Sequence, residues 1–311
     1  MVRAELLEDA GEASASADFF RSPEFLRAEG TTHSLRVESD AGTVAAPLLV
    51  SEVDGSELFD ATSPYGYPGF AIPSNGLSDA LSPEDIDFTG TGLLSVFLRH
   101  VLGADLPLAG ATARNLCLLS DPALPRKSRM SDRQQIRKNL KRGYEVEFVP
   151  GPESGDAARE GFFRAYIETM ERTQATERYF FSREYFDQIL GSELTWLALA
   201  RDGDGTIAAA SIAVSSDGLL HYYLSGTADS NLRDSPMKNV IEAMIEFGDS
   251  MDLALNLGGG ITPGDPLEEF KRGFTNREEQ WYTSELVCDE AEYARLSPPG
   301  AGDFFPAYRA S

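Results

Sequence analysis

The chain has 311 residues and carries 27 lysines and arginines against 50 aspartates and glutamates, a net charge of −23. So acidic a protein is disfavoured as a general binder of DNA or anionic membranes. Hydrophobic residues at 42% and aromatics at 10% exclude disorder as the default and supply enough apolar mass for two domains.

The opening "MVRAELLEDAGEASAS" is acidic and has no apolar core. No signal peptide is expected from it, no apolar run approaches the ~20 residues of a membrane span, and a cytoplasmic location is the expectation. Ser22-Pro23-Glu24 reads as a helix start, with serine as the N-cap and proline at the first helical position. "SLRVES" and "VAAPLLVSEV" alternate as strands around Gly42. "SPYGYPGF" holds too much proline and glycine for a regular element and reads as an ordered loop displaying Tyr65 and Tyr67. A helix is expected near 91–102 and a strand around 114–119.

Ser131 is the expected cap of the next helix, which ends at Arg142 with Gly143 as its C′ residue. Its apolar stripe is only the pair Ile136 and Leu140. "YEVEFV" alternates as a strand, and "PGPESGD" opens a helix carrying Phe162, Phe163, Tyr166, Ile167 and Met170. Three strands follow, "LTWLALA", "TIAAASIAVS" and "LLHYYLSGT", joined by "DGDG" and "DG" turns. Ser235-Pro236 begins a helix with a buried stripe of Met237, Val240, Ile241, Met244 and Ile245, and "LALNLGGG" is one more strand. A meander, a helix and a further strand make an α+β arrangement.

Cys117 and Cys288 sit in strand-like apolar settings and read as buried free thiols. His33, His100 and His221 show no metal-ligand spacing, so no metal is expected. No P-loop, dinucleotide fingerprint or nucleophile elbow is present. The strongest charge feature is residues 126–142, where Arg126, Lys127, Arg129, Arg133, Arg137, Lys138, Lys141 and Arg142 stand against Asp132 alone. Such a reversal in an acidic chain has the character of a phosphate-binding face, or else of a solvated helix paired with acidic neighbours.

The segments "IRKNLKRGYEVEF", "FFRAYIETMERT", "HYYLSGTADSNLRDSPMKNVIEAMIEFG" and "LNLGGG…EEFKRGF", in this order, resemble the Fem family. Those are aminoacyltransferases related to the GNAT acetyltransferases, best known for building peptidoglycan cross-bridges from aminoacyl-tRNA. The resemblance covers residues ~126 to 290 well and rests earlier mainly on "SPYGYPG". It implies two tandem GNAT-like domains, each a mixed and mostly antiparallel sheet flanked by helices. They are expected at 1–144 and 145–284, with residues 285–311 returning to the first.

It also implies transfer of an amino acid from aminoacyl-tRNA to an amine, with no cofactor beyond the aminoacyl-tRNA co-substrate. Phe270 and Lys271 fall where the family's catalytic Phe-Lys pair is expected. Chemistry supports the same residue. Aminolysis of an ester passes through an oxyanion, and an ammonium desolvated by neighbouring aromatics stabilises it.

Gly258, Gly259 and Gly260 either let a ligand approach the backbone or make a tight strand exit. Further candidate substrate contacts are Tyr65, Tyr67, Arg172, Arg178, Tyr179, Tyr185, Tyr222 and Arg272. Expected partners are the tRNA acceptor end, held by the basic segment, and a small-molecule, peptide or peptidoglycan-precursor amine. The protein is expected to be a monomer with no DNA and no membrane insertion.

Two alternatives stand beside this reading. One is an acyl-CoA N-acyltransferase; against it, "GTADSNLRDSP" places Asp229 and Asp234 where a pyrophosphate loop is best served by glycines, and Pro236 lacks an N–H donor. The other is a non-catalytic GNAT-like binding protein, against which Lys271 weighs. No heptad arm or basic amphipathic helix for a lipid-borne substrate is seen, which favours a soluble acceptor, as in a biosynthetic pathway.

Overall fold

A computed structural model describes residues 2–40, 42–71, 80–300, 302 and 304–310. In chain order the elements are β1 (Val2–Leu7), α1 (Pro23–Ala28), β2 (His33–Ser39), β3 (Gly42–Glu52), β4 (Phe59–Thr62), β5 (Ile86–Asp87) and β6 (Leu93–Arg99). Next come β7 (Thr112–Ser120), α2 (Met130–Lys141), β8 (Glu145–Pro150), α3 (Asp156–Arg172), α4 (Arg183–Ile189) and β9 (Thr195–Arg201). The chain continues through β10 (Ile207–Ser216), β11 (Leu219–Thr227), α5 (Met237–Ser250) and β12 (Ala254–Asn256). It closes with α6 (Pro266–Arg272), β13 (Arg277–Val287) and α7 (Glu290–Leu296). Among the described residues no helix is long and apolar enough to cross a membrane.

The described residues fall into two compact α+β units. The first comprises Met1–Ser16, Phe20–Arg114 and Gln280–Ser311, the second Ala17–Phe19 and Asn115–Glu279. The division thus falls inside β7 and β13, and residues 115–144, expected with the first domain, lie in the second unit. The cause is visible in α2, whose Ile136 joins the core formed by Val240, Ile241, Met244 and Leu255.

In the first unit the strand order is β5-β1-β2-β3-β4-β6-β13, antiparallel except for the β1–β5 and β4–β6 pairs. Leu35, Val37, Val44, Ala46, Leu48, Val96 and Leu98 form its core. Ser22 caps α1 as expected, accepting the Phe25 N–H. The helix expected near 91–102 is instead strand β6. "LLSVFLR" is a short apolar run bounded by Gly92 and Gly103, both at positive φ, and such a run fits a strand buried on both faces as well as a helix. Its pairing with β4 and β13 decides the matter. At the C-terminal end, Tyr308 bonds Ser95 at 2.7 Å and Arg309 pairs with Asp60, tying the tail to this unit.

In the second unit the order is β7-β12-β11-β10-β9-β8, antiparallel except for β11–β12. β10 is nearly buried throughout, which explains its run of alanines and β-branched residues. The α5 stripe predicted from sequence is the buried one, and each such side chain contributes about 1.5–3 kcal/mol. α3 lies on β11 so closely that a Cβ at Gly226 would meet the Ala165 carbonyl oxygen at 2.2 Å.

Helix α2 departs from its expected pattern. It begins at Met130 with Arg129 in the cap position and no side-chain cap bond, so Ser131 is inside the first turn. Leu140 is 56% exposed, while Asp132 and Asn139 are buried. Polar partners reverse the pattern: Asn139 bonds Asn239 at 2.7 Å and the Asp234 carbonyl at 2.8 Å, and Asp132 holds Lys238 at 2.9 Å. A helix bound through amides leaves its leucine outside.

Candidate active site

Lys271 is carried by α6 in the second unit. "GDPLEEFKR" folds as a helix because Asp265 caps it, accepting the Glu268 N–H at 2.8 Å, and Pro266 fits the first helical position. Glu268 and Glu269 suit the positive N-terminal end of the dipole, and Lys271 and Arg272 the C-terminal end. The helix turns Phe270 and Phe274 together, ring centroids 5.7 Å apart, onto the core shared with Tyr222.

Lys271, between these two residues in sequence, is only 7% exposed. Its Nζ donates to the Gly259 carbonyl at 2.7 Å. Burial pushes its pKa down from 10.5 to about 8, opposed by the electrostatic influence of Cys117 and Asp265. At pH 7 the group is still roughly nine-tenths ammonium. With one proton on Gly259, two further N–H donors remain for a ligand.

The three glycines each meet a separate demand. Gly258 has φ +68, a conformation L side chains rarely adopt. A Cβ on Gly259 would lie 2.6 Å from the Leu116 carbonyl oxygen, and one on Gly260 would overlap the Asp265 carboxylate at 2.4 Å. The bare backbone is therefore used by the chain's own neighbours, to exit β12 and to aim the Gly259 carbonyl at Lys271. Leading into this turn, Asn256 accepts the Gly258 N–H at 2.8 Å and contacts His221. Sequence reading missed both residues; the only signals were an asparagine just before the glycines and a histidine inside an apolar strand.

The other candidates are dispersed. Arg272 is engaged by Glu268 at 2.6 Å and by Glu278, which leaves it a structural cation. Tyr222 bonds the Ser225 hydroxyl, and burial raises its pKa to about 12. Arg172, at the end of α3, pairs with Asp229. Arg178 stacks on Tyr179 at 4.8 Å, while Tyr185 bonds Tyr223 at 2.8 Å. Tyr65 and Tyr67 belong to the first unit, where Tyr65 faces the Arg99 guanidinium at 5.7 Å and Tyr67 meets Trp281 edge-on at 5.7 Å.

The basic segment divides in two. Arg126 pairs with Glu242 at 3.1 Å, Arg129 with Glu269 at 2.9 Å, Arg142 with Asp234, and Arg133 donates to the Ser128 carbonyl at 2.6 Å. Lys127, Arg137, Lys138 and Lys141 are exposed and make no ion pair among the described residues. The last three share one face of α2.

The loop after β11 is filled by its own contacts. Asp234 accepts from Arg142 and from the Tyr144 hydroxyl at 3.1 Å, and Ser235 takes a left-handed φ of +47 before Pro236.

The family model for an acetyltransferase (GNAT) domain matches residues 126–272. No curated protein matches the sequence. Among solved structures, FemX aligns at TM-score 0.63 and 10% identity over 92% of this chain and 96% of its own. L-PGS from Bacillus licheniformis aligns at 0.55 and 13%, over 86% and 90%. The C-terminal domain (DUF2156) of a protein assigned as a lysylphosphatidylglycerol synthetase from Agrobacterium fabrum aligns at 0.58 and 14%, over 92% and 93%. The chain thus carries a GNAT domain, residues 126–272, within its second unit, and shares its fold with FemX.

Proposed function

We propose that this protein is an aminoacyltransferase that moves an amino acid from aminoacyl-tRNA to an amine, forming an amide bond. The observation that carries the reading is Lys271, a buried ammonium held by the Gly259 carbonyl with donors to spare. The acceptor nitrogen attacks the ester carbonyl, and the resulting oxyanion takes a hydrogen bond from Nζ in a site of low dielectric. Collapse breaks the bond to the ribose oxygen. That oxygen leaves as a hydroxyl, with the proton the amine gives up. The ester is already activated, so the chain's own contribution is orientation and charge.

The shared fold of FemX and lysylphosphatidylglycerol synthetase supports an aminoacyl donor, and the free cations Arg137, Lys138 and Lys141 support a phosphate-bearing one. The acceptor is a small molecule, peptide or peptidoglycan precursor. Incubation with a mixed aminoacyl-tRNA pool, each amino acid labelled in turn, tests the donor. One label moving to an amine supports the reading, and no enzyme-dependent discharge of any label refutes it.

The match to an acetyltransferase model favours a second reading, an acyl-CoA N-acyltransferase. Against it, the loop that precedes α5 carries Asp229 and Asp234, both already paired, and opens the helix with a proline. A loop that places carboxylates before the helix start, opened by a proline that has no N–H to donate, is poorly suited to a pyrophosphate.

A further inference from the structure

We propose that Asn256, braced by His221, is a positioning residue for Lys271: it fixes the Gly258–Gly260 turn so that the Gly259 carbonyl orients Nζ. The parallel pairing of β11 with β12 sets His221 opposite Asn256, and each is only 2% exposed. Apolar residues at both positions would fill the same space without the desolvation cost of two polar groups. Their hydrogen bonds instead run in one direction. The His221 Nε2–H donates to the Ser216 carbonyl at 3.3 Å, and its Nδ1 accepts from the Asn256 amide at 3.1 Å. The Asn256 carbonyl oxygen accepts the Gly258 N–H at 2.8 Å, and one residue on, the Gly259 carbonyl accepts from Lys271 at 2.7 Å.

This directionality fixes the asparagine: exchanging its amide and carbonyl would set N–H against N–H at Gly258. It also requires a neutral His221, and burial holds that imidazole down at about 4. Gly258 at φ +68 has no side chain to hold it; its carbonyl accepts from the Leu118 N–H at 3.2 Å, and the hydrogen bond from its own N–H to Asn256 is the contact that fixes the start of the turn. β12 pairs with β11 and β7 through its backbone, so the side-chain bonds of the pair are left to act on the turn that carries the lysine's acceptor atom.

The consequence for rate rests on the aminoacyl-transfer reading; the consequence for Lys271 itself does not. The test uses Asn256→Ala, His221→Phe and Asn256→Ser, the last keeping a weaker local acceptor for the Gly258 N–H. Two quantities are read: the Lys271 titration midpoint, from its ε-methylene signal assigned with Lys271→Met, and the single-turnover transfer rate. Asn256→Ala and His221→Phe are expected to move the midpoint by at least about half a pH unit. They should lower the rate about tenfold or more at unchanged tRNA affinity, with Asn256→Ser recovering part of both. A purely structural role lowers the melting temperature and leaves both quantities alone. Folded variants with an unchanged midpoint overturn the proposal whatever the rate, as does an unchanged rate in an enzyme that transfers. If the wild type transfers nothing while the midpoint moves, the aminoacyl reading fails and the positioning stands. Should Asn256→Ala not fold, the midpoint in Asn256→Ser decides.

Discussion

Replacing Lys271 with methionine keeps most of its volume and removes the ammonium, and the structure gives the sign of the effect on stability. The lysine pKa falls from 10.5 in the unfolded chain to about 8 in the folded one, through burial. Below pH 8 both states hold the proton and the burial penalty is fully present. Between about 8 and 10.5 the unfolded chain binds more protons than the folded one, so stability rises with pH across that window. The rise attributable to Lys271 is about 3 kcal/mol. Methionine has no proton to lose. At pH 7 it removes that penalty but leaves the buried Gly259 carbonyl without its donor, which costs about 1–3 kcal/mol. Lys271→Met is therefore expected to be as stable as the wild type at pH 7, or up to about 2 kcal/mol more stable. By pH 10 it should be less stable. Urea unfolding of both proteins from pH 7 to 10 reads the difference directly, since groups common to both cancel. A difference that does not change with pH refutes a buried ammonium at this position.

Gly259→Ala puts a methyl against the Leu116 carbonyl, so about 1–3 kcal/mol of stability should be lost on unfolding, with transfer reduced as well; an unchanged unfolding midpoint contradicts the packing described. Replacing Arg137, Lys138 and Lys141 with glutamate is expected to weaken tRNA binding and to flatten its log–log salt slope by about 2–3. Folding should survive, because the three side chains are exposed and unpaired, and an unchanged slope reduces α2 to a solvated helix. Calorimetry should show no micromolar binding of acetyl-CoA; a clear micromolar isotherm returns the second reading to first place.

Much of the second unit was legible in the sequence because its signals are local. The α5 stripe, the alternation of β8 and the turns at Asp202–Gly205 and Asp217–Gly218 each follow from a periodicity or a turn residue. β6 was not legible: a seven-residue apolar run fits either period until β4 and β13 flank it. Neither was the buried face of α2, since Asp132 and Asn139 take their burial from Lys238, Asp234 and Asn239, about a hundred residues away in the chain. The strand β1 escaped because it is only six residues long and leads straight into an acidic stretch, with only Ala4 fully buried. At the site, the family pattern led to Lys271 and the glycines, whereas the contact between them comes from α6 folding back on the end of β12. The contact of Asn256 with the Gly258 N–H was marked only by an asparagine near the glycines, because a hydrogen bond to the next-but-one amide leaves no trace in composition or period.

The central claim is that the Lys271 ammonium stabilises the oxyanion of aminoacyl transfer. Single-turnover transfer from labelled aminoacyl-tRNA, with enzyme saturating, tests it without interference from binding. Lys271→Met is expected to lower the rate by ~10²–10³, about 3–4 kcal/mol of barrier, with tRNA affinity held. Lys271→Arg should recover little, since a planar guanidinium presents its donors differently from a compact ammonium. Transfer by Lys271→Met at close to the wild-type rate would contradict the account and leave Lys271 a structural residue.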